Sequence, residues 1–165
     1  MDILIATFIG GVLTLAGTIV AQWFGLFSSK VERQQKHAAL QRERLEKMSN
    51  CIAECVGWSQ RLMVFNSFDS VRCTYVPKEA RQVSMLARIY FPDLVGPSDE
   101  YLNTLIEYHC FALGAFRPDA PTGVTIGAQM MLNPEGMKLE STQFTLRNSL
   151  DEAIAREARK YEPSA

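Results

Sequence analysis

The stretch Thr7–Gly25, TFIGGVLTLAGTIVAQWFG, decides how the rest of the chain is read. It lies inside a run, Ile3–Phe27, that holds no charged residue. At about 1.5 Å per helical residue the run reaches roughly 37 Å. A bilayer core is about 30 Å thick, so the run is long enough to cross with some tilt. A cleaved signal peptide opens on basic residues and carries a shorter apolar region. This chain opens on Met1-Asp2 and leaves the run through Trp23-Phe24-Gly25-Leu26-Phe27, an ending suited to a membrane interface. A buried helix of a soluble domain is the remaining competitor. The reading predicts one transmembrane helix over residues 1–27.

Within that stretch the small residues form a line. Alternating steps of four and three pick out Thr7, Gly11, Thr14, Thr18, Ala21 and Gly25, while the other faces carry Phe8, Ile9, Val12, Leu13, Leu15, Ile19, Val20 and Trp23. In lipid, burying Leu against another helix gains little, whereas small residues let backbones approach and Thr hydroxyls bond across the contact. A step of 3.5 residues matches a left-handed pair or bundle. The six residues are therefore the expected helix–helix interface, with a closed homo-oligomer as its simplest form. In a wide ring the Thr side chains and Gln22 would line a wet pore.

Charge gives an orientation. Lys30, Arg33, Lys36, Arg42, Arg44 and Lys47 follow the run and no Lys or Arg precedes it. Basic residues stay on the cytoplasmic side. The expected location is the inner membrane, N-terminus outside and C-terminal domain cytosolic. Residues 30–47 hold six basic and three acidic residues, net +3, beside anionic lipid. Residues 48–165 hold eleven basic and fourteen acidic residues, net −3. With no domain-wide basic excess, a nucleic acid polymer is not an expected partner.

Three parts follow: residues 1–27 as the transmembrane helix, 28–47 as a basic helical stalk, and 48–165 as a cytosolic helical domain. Between Ser28 and Asn66 there is no proline and one glycine, Gly57. Met48, Cys51, Cys55, Trp58, Leu62 and Phe65 recur at helical spacing and predict a buried face. Ser67–Tyr75 reads as a loop. Pro77 suits the first turn of a helix running to Tyr90, buried through Val83, Leu86, Ala87 and Tyr90. Ser98 is the expected N-cap of a helix to Phe116, with Leu102, Leu105, Ile106, His109, Leu113 and Phe116 inward. Arg117–Lys138, with its prolines and glycines, reads as a long link with helical turns around Ala128–Leu132. A last helix over Leu139–Tyr161 packs through Leu146, Leu150 and Ile154. The fold class is all-α, a small bundle.

No catalytic constellation emerges: there is no Gly-rich phosphate loop, no His-Glu-x-x-His and no nucleophile elbow. The chain is read as a non-enzyme without a cofactor. His37 sits in the polar stalk and His109 on an apolar face. Cys51 and Cys55, four apart, with His109-Cys110, supply zinc-type ligand chemistry. Against a metal, adjacent ligands on one helix point to different sides, and Cys is also a small core residue. Cysteines of a cytosolic domain stay reduced. Arg61, Arg72, Lys78, Arg81 and Arg88 surround one loop and form the candidate site for a phosphorylated small ligand or an acidic partner. Ordinary surface charge, with Asp69 and Glu79 interspersed, is the competing account.

An N-terminal span, a basic stalk and a short helical domain together resemble the layout of small, membrane-anchored bacterial helical proteins. Some membrane effectors of prokaryotic antiviral defence share that layout, including cyclic-nucleotide-gated ones. No motif carries a family's functional residue onto this chain. The expected function is a non-enzymatic single-pass inner-membrane protein that self-associates and presents its helical domain to a partner or ligand. The alternative is a defence effector that senses a signal, such as a cyclic nucleotide, and opens or disrupts the membrane.

Overall fold

The computed structural model describes residues 2–114 and 123–162, with side chains described throughout these except at 2–16, 19 and 20. Six α-helices account for the described architecture: α1 Asp2–Met63, α2 Phe68–Arg72, α3 Lys78–Tyr90, α4 Val95–Gly114, α5 Ile126–Leu132 and α6 Pro134–Arg159. A 3-10 turn, Pro92–Leu94, leads into α4. No strand occurs among the described residues, as the all-α expectation required. The chain divides into two units, Met1–Gln41 with Glu162–Ala165, and Arg42–Tyr161. The division falls at Gln41, between the two boundaries expected at 27 and 47.

In the first unit, helix formers and the absence of proline keep the backbone helical. Glu32 and Lys36 pair one turn apart at 2.7 Å, both exposed. Among the described residues no helix is long and apolar enough to cross a membrane. This overturns the transmembrane helix over 1–27, the single-pass inner-membrane protein with a cytosolic C-terminal domain, and the effector that opens the membrane. Among the residues whose side chains are described, the apolar stretch of α1 is short. Where side chains are described, Thr18 and Gln22 interrupt the apolar character and Ser28-Ser29-Lys30 ends it.

The second unit is a helical bundle. The stripe Met48, Cys51, Cys55, Trp58 and Leu62 on α1 is buried as its spacing predicts, and Leu45 and Ile52 complete it. Helix α4 packs against α3 and α6, and α5 packs against α6. From α3 come Val83, Leu86 and Ala87; from α6 come Leu150 and Ile154.

Three local departures have local causes. Ser67 accepts a hydrogen bond from the Ser70 backbone and caps the short helix α2 inside the expected loop. The Pro92–Leu94 turn starts α4 three residues before Ser98, which becomes a buried first-turn residue bonded to the Val95 carbonyl. Asn133 caps α6 through the Glu135 N–H, with Pro134 following, so α6 begins well before Leu139. Tyr90 is not buried: its ring lies under the Arg44 guanidinium at 3.6 Å, tying α3 to α1.

Gly136 marks the closest approach in the bundle. A Cβ there would lie 2.9 Å from the Met130 backbone and from the Phe111 ring. Gly96, in the first turn of α4, has nothing within 4 Å of an added Cβ. Gly136→Ala is expected to lower stability by about 1–3 kcal/mol through overpacking. Gly96→Ala is expected to raise it by about 0.5–1 kcal/mol. Thermal melts of the two variants should therefore move in opposite directions.

Candidate functional site

Helical spacing puts Glu140, Gln143, Phe144, Arg147 and Asp151 on one side of α6, in steps of three and four. Facing them on α1 are Ser49, Ile52, Ala53, Val56, Ser59, Gln60 and Met63. Two adjoining cavities lie between these faces. One, of about 280 Å³, is bounded by Val56, Ser59, Gln60, Met63, Glu140, Gln143, Phe144 and Arg147. The other, of about 440 Å³, is bounded by Ser49, Ile52, Ala53, Val56, Arg147 and Asp151. Val56 and Arg147 line both, which places them where the cavities meet.

Arg147 is held from three directions. Its Nη2 donates to Asn148 Oδ1 at 3.1 Å, and its guanidinium carbon sits 5.1 Å from the Phe144 ring centre. Its Nε lies 4.0 Å from Asp151 Oδ2, a loose ion pair and not a hydrogen bond. That buried Nε has no hydrogen-bond partner. Burial pushes the Asp151 carboxyl above its ordinary range, against the pull of Arg147.

Behind the groove, α4 sends Tyr101 and Tyr108 inward, seven residues apart and fully buried. Neither hydroxyl has a hydrogen-bond partner. Burial drives both phenols well above their usual range. The other groups acting on Tyr101 are Cys55, Arg147 and Asp151; on Tyr108 it is Glu140. Both hydroxyls thus lie within the electrostatic reach of groove-lining residues of α6. Trp58 stacks at an angle on Tyr108, ring centres 6.3 Å apart, and its indole N–H is also unpartnered. Unsatisfied buried donors are rare in folded proteins. Here Tyr101, Tyr108, Trp58 and Arg147 all carry one.

The sequence pattern did not single out these residues. Tyrosine fits a core and a surface equally well, and Arg147 reads as one more helix-surface charge. The available signal was the i, i+7 spacing of the tyrosines and the common face of Gln143, Arg147 and Asp151.

The five basic residues expected to form a site are distributed over α1, α2 and α3, all exposed. Lys78 and Arg81 are neighbours on the outer face of α3. Arg88 is engaged elsewhere: it bonds Asp99, which also accepts from Ser84 Oγ at 2.6 Å, and so fastens α3 to α4. Of the small-residue line, Thr7, Gly11 and Thr14 lie outside the described side chains. Thr18, Ala21 and Gly25 are exposed, and an added Cβ at Gly25 would meet nothing within 4 Å.

His109 is a half-buried structural histidine whose Nε2 lies 3.3 Å from the Val71 carbonyl. Cys110 beside it is exposed, whereas Cys51 and Cys55 are in the core. Burial raises the Cys51 thiol and pushes Cys55 up to about 12, so both are poor nucleophiles and poor metal ligands. Among the described residues no three His, Cys, Asp or Glu side chains come together to hold a metal.

Asp151 gives a pH test. Its carboxyl is easier to protonate folded than unfolded, so its ionisation weakens the fold as pH rises through the folded-state value. Asp151→Asn should raise the melting temperature at neutral pH. The gain should shrink on acidification and vanish below the ordinary value of 3.8. A gain that grows towards acid pH would contradict the burial of this carboxyl.

No protein-family model matches the chain, no curated protein matches it and no solved structure matches it. The functional reading therefore rests on the residues of the site.

Proposed function

We propose that this chain is a helical binding module, and that the groove between α1 and α6 holds its ligand. The observation that carries the reading is the pair of adjoining cavities between α1 and α6, with Val56 and Arg147 where they meet. A groove of this kind supplies orientation and affinity. Its lining offers amides, hydroxyls, a guanidinium and two carboxylates, with no histidine beside a nucleophile. That composition suits recognition better than bond cleavage. In an amide-resolved NMR screen of small fragments, binders should move the signals of Val56, Ser59, Gln143 and Arg147. Val56→Trp, which fills the junction of the two cavities, should abolish those shifts while the protein still melts cooperatively. Fragments that bind only elsewhere would refute the assignment.

A second reading concerns assembly, and a separate observation favours it. In the first unit Trp23, Phe24, Leu26 and Phe27 are each more than three-fifths exposed, and Trp23 stacks on Phe27 at 6.4 Å. At about 100° per residue these four side chains share one broad face of the helix. Exposed apolar clusters of this sort mark association surfaces. Packing of several copies of α1 covers them all, and the inference is a homo-oligomer. Light scattering on the full chain should give a mass above that of a monomer. Replacing Trp23 and Phe27 together by Ser should lower it, whereas a monomeric parent chain would exclude the reading.

A further inference from the structure

We propose that the α1–α6 groove takes the outer face of α3 from a second copy of this chain. The proposal rests on the reading of this groove as the binding site and names its occupant.

The lining sets what fits. Ile52, Val56, Met63 and Phe144 make the wall apolar, and its charged residues are Glu140, Asp151 and a single cation, Arg147. Asp151 is half-exposed, and Arg147 reaches it only at 4.0 Å, so its carboxylate remains open to a further cation. Glu152 beside it is exposed as well. The two cavities run antiparallel along the helices: Asp151 lies by Ser49 and Ile52, and Phe144 by Val56 and Met63. One end of the groove is therefore acidic, and towards the other Phe144 and Met63 present hydrocarbon. Its complement carries cations at one end and exposed hydrocarbon at the other.

Helix α3 displays that surface. At about 100° per residue, Lys78, Arg81, Met85 and Ile89 fall within roughly 80° of arc. All four are exposed, the last two as large apolar side chains left in water. Glu79, the one acid of α3, lies off this stripe. Arg88 stays with Asp99 and is not required. The spacing also matches. Lys78 to Met85 is seven residues, and so is Phe144 to Asp151, about 10 Å along either helix. Laid antiparallel to α6, α3 brings Lys78 to Asp151 as Met85 reaches Phe144. Arg81 then adds a second cation near the acidic end, and Ile89 continues towards Met63.

Both surfaces are exposed on the same chain, so they do not meet within one protomer. The contact is head-to-tail: each copy in a pair keeps one free groove or one free α3 face, and the arrangement repeats. One helix face in one groove is smaller than a standard interface. The contact is therefore weak by itself and suited to measurement by NMR.

The test uses the full chain with Trp23→Ser and Phe27→Ser, which removes the other association surface. A labelled version that also carries Lys78→Glu and Met85→Glu keeps its groove and loses its α3 face. Its Val56 and Phe144 amide signals should stay still as its own concentration rises. They should move when the unlabelled chain with an intact α3 is added, and salt should reduce the movement. Should the doubly substituted α3 fail to melt cooperatively, Lys78→Glu alone takes its place. Equal movement on adding a chain whose α3 face is also substituted would overturn the assignment to α3. No movement, with small fragments still shifting Val56, would overturn self-docking and leave the groove standing. No movement with either would overturn both readings.

Discussion

The buried stripe of α1 is the constraint on which the bundle depends. Leu45, Met48, Ile52, Cys55, Trp58 and Leu62 run down one side of the helix in steps of three and four, each almost wholly removed from water. Losing one such side chain leaves a cavity and costs about 2–5 kcal/mol. Around this post the other helices have little choice. Helix α3 reaches it through Val83, Leu86 and Ala87, and Arg44 on α1 grips the Tyr90 ring from the solvent side.

The same packing leaves a polar mismatch. Tyr101 and Tyr108 fill the space behind α1 and α6 with their rings, which is favourable, and bury two hydroxyls that make no hydrogen bond. Removing a hydroxyl from water without a partner costs about 1–3 kcal/mol. Sequences optimised only for stability place Phe there. Tyrosine at both positions, with an unpaired guanidinium N–H nearby, is a local cost that the packing of the rest of the bundle offsets.

Two basic features that look alike in sequence have different roles in the fold. Arg88 belongs to the cluster around the α2 loop, yet Asp99 and Ser84 draw it into the α3–α4 contact. Arg147 has no basic neighbours in sequence, yet it stands at the meeting point of two cavities. A salt bridge such as Arg88–Asp99 adds little to stability at the surface, but it decides which cations remain to meet a ligand.

Periodicity and capping are local, and what depends on them was legible in the residues alone. The all-α class, the stripe from Met48 to Leu62, the helix ending at Tyr90 and the inward faces at Leu150 and Ile154 follow from spacing of 3.6 residues and from where proline stops a helix. The length of an uncharged run is also local, but it does not establish a span. Among the described residues no helix sustains enough apolar length to cross a membrane. The rotation of α4 was not legible. Its spacing offers Leu102, Leu105, Ile106, His109, Leu113 and Phe116 as an inner face, and also Tyr101, Leu105, Tyr108 and Ala112, about one residue round the helix. Packing against α3 and α6 selects the second set and leaves Ile106 outside. The groove depends on that choice, because Val56, Tyr101 and Arg147 are distant in sequence and only the bundle brings them into one another's reach.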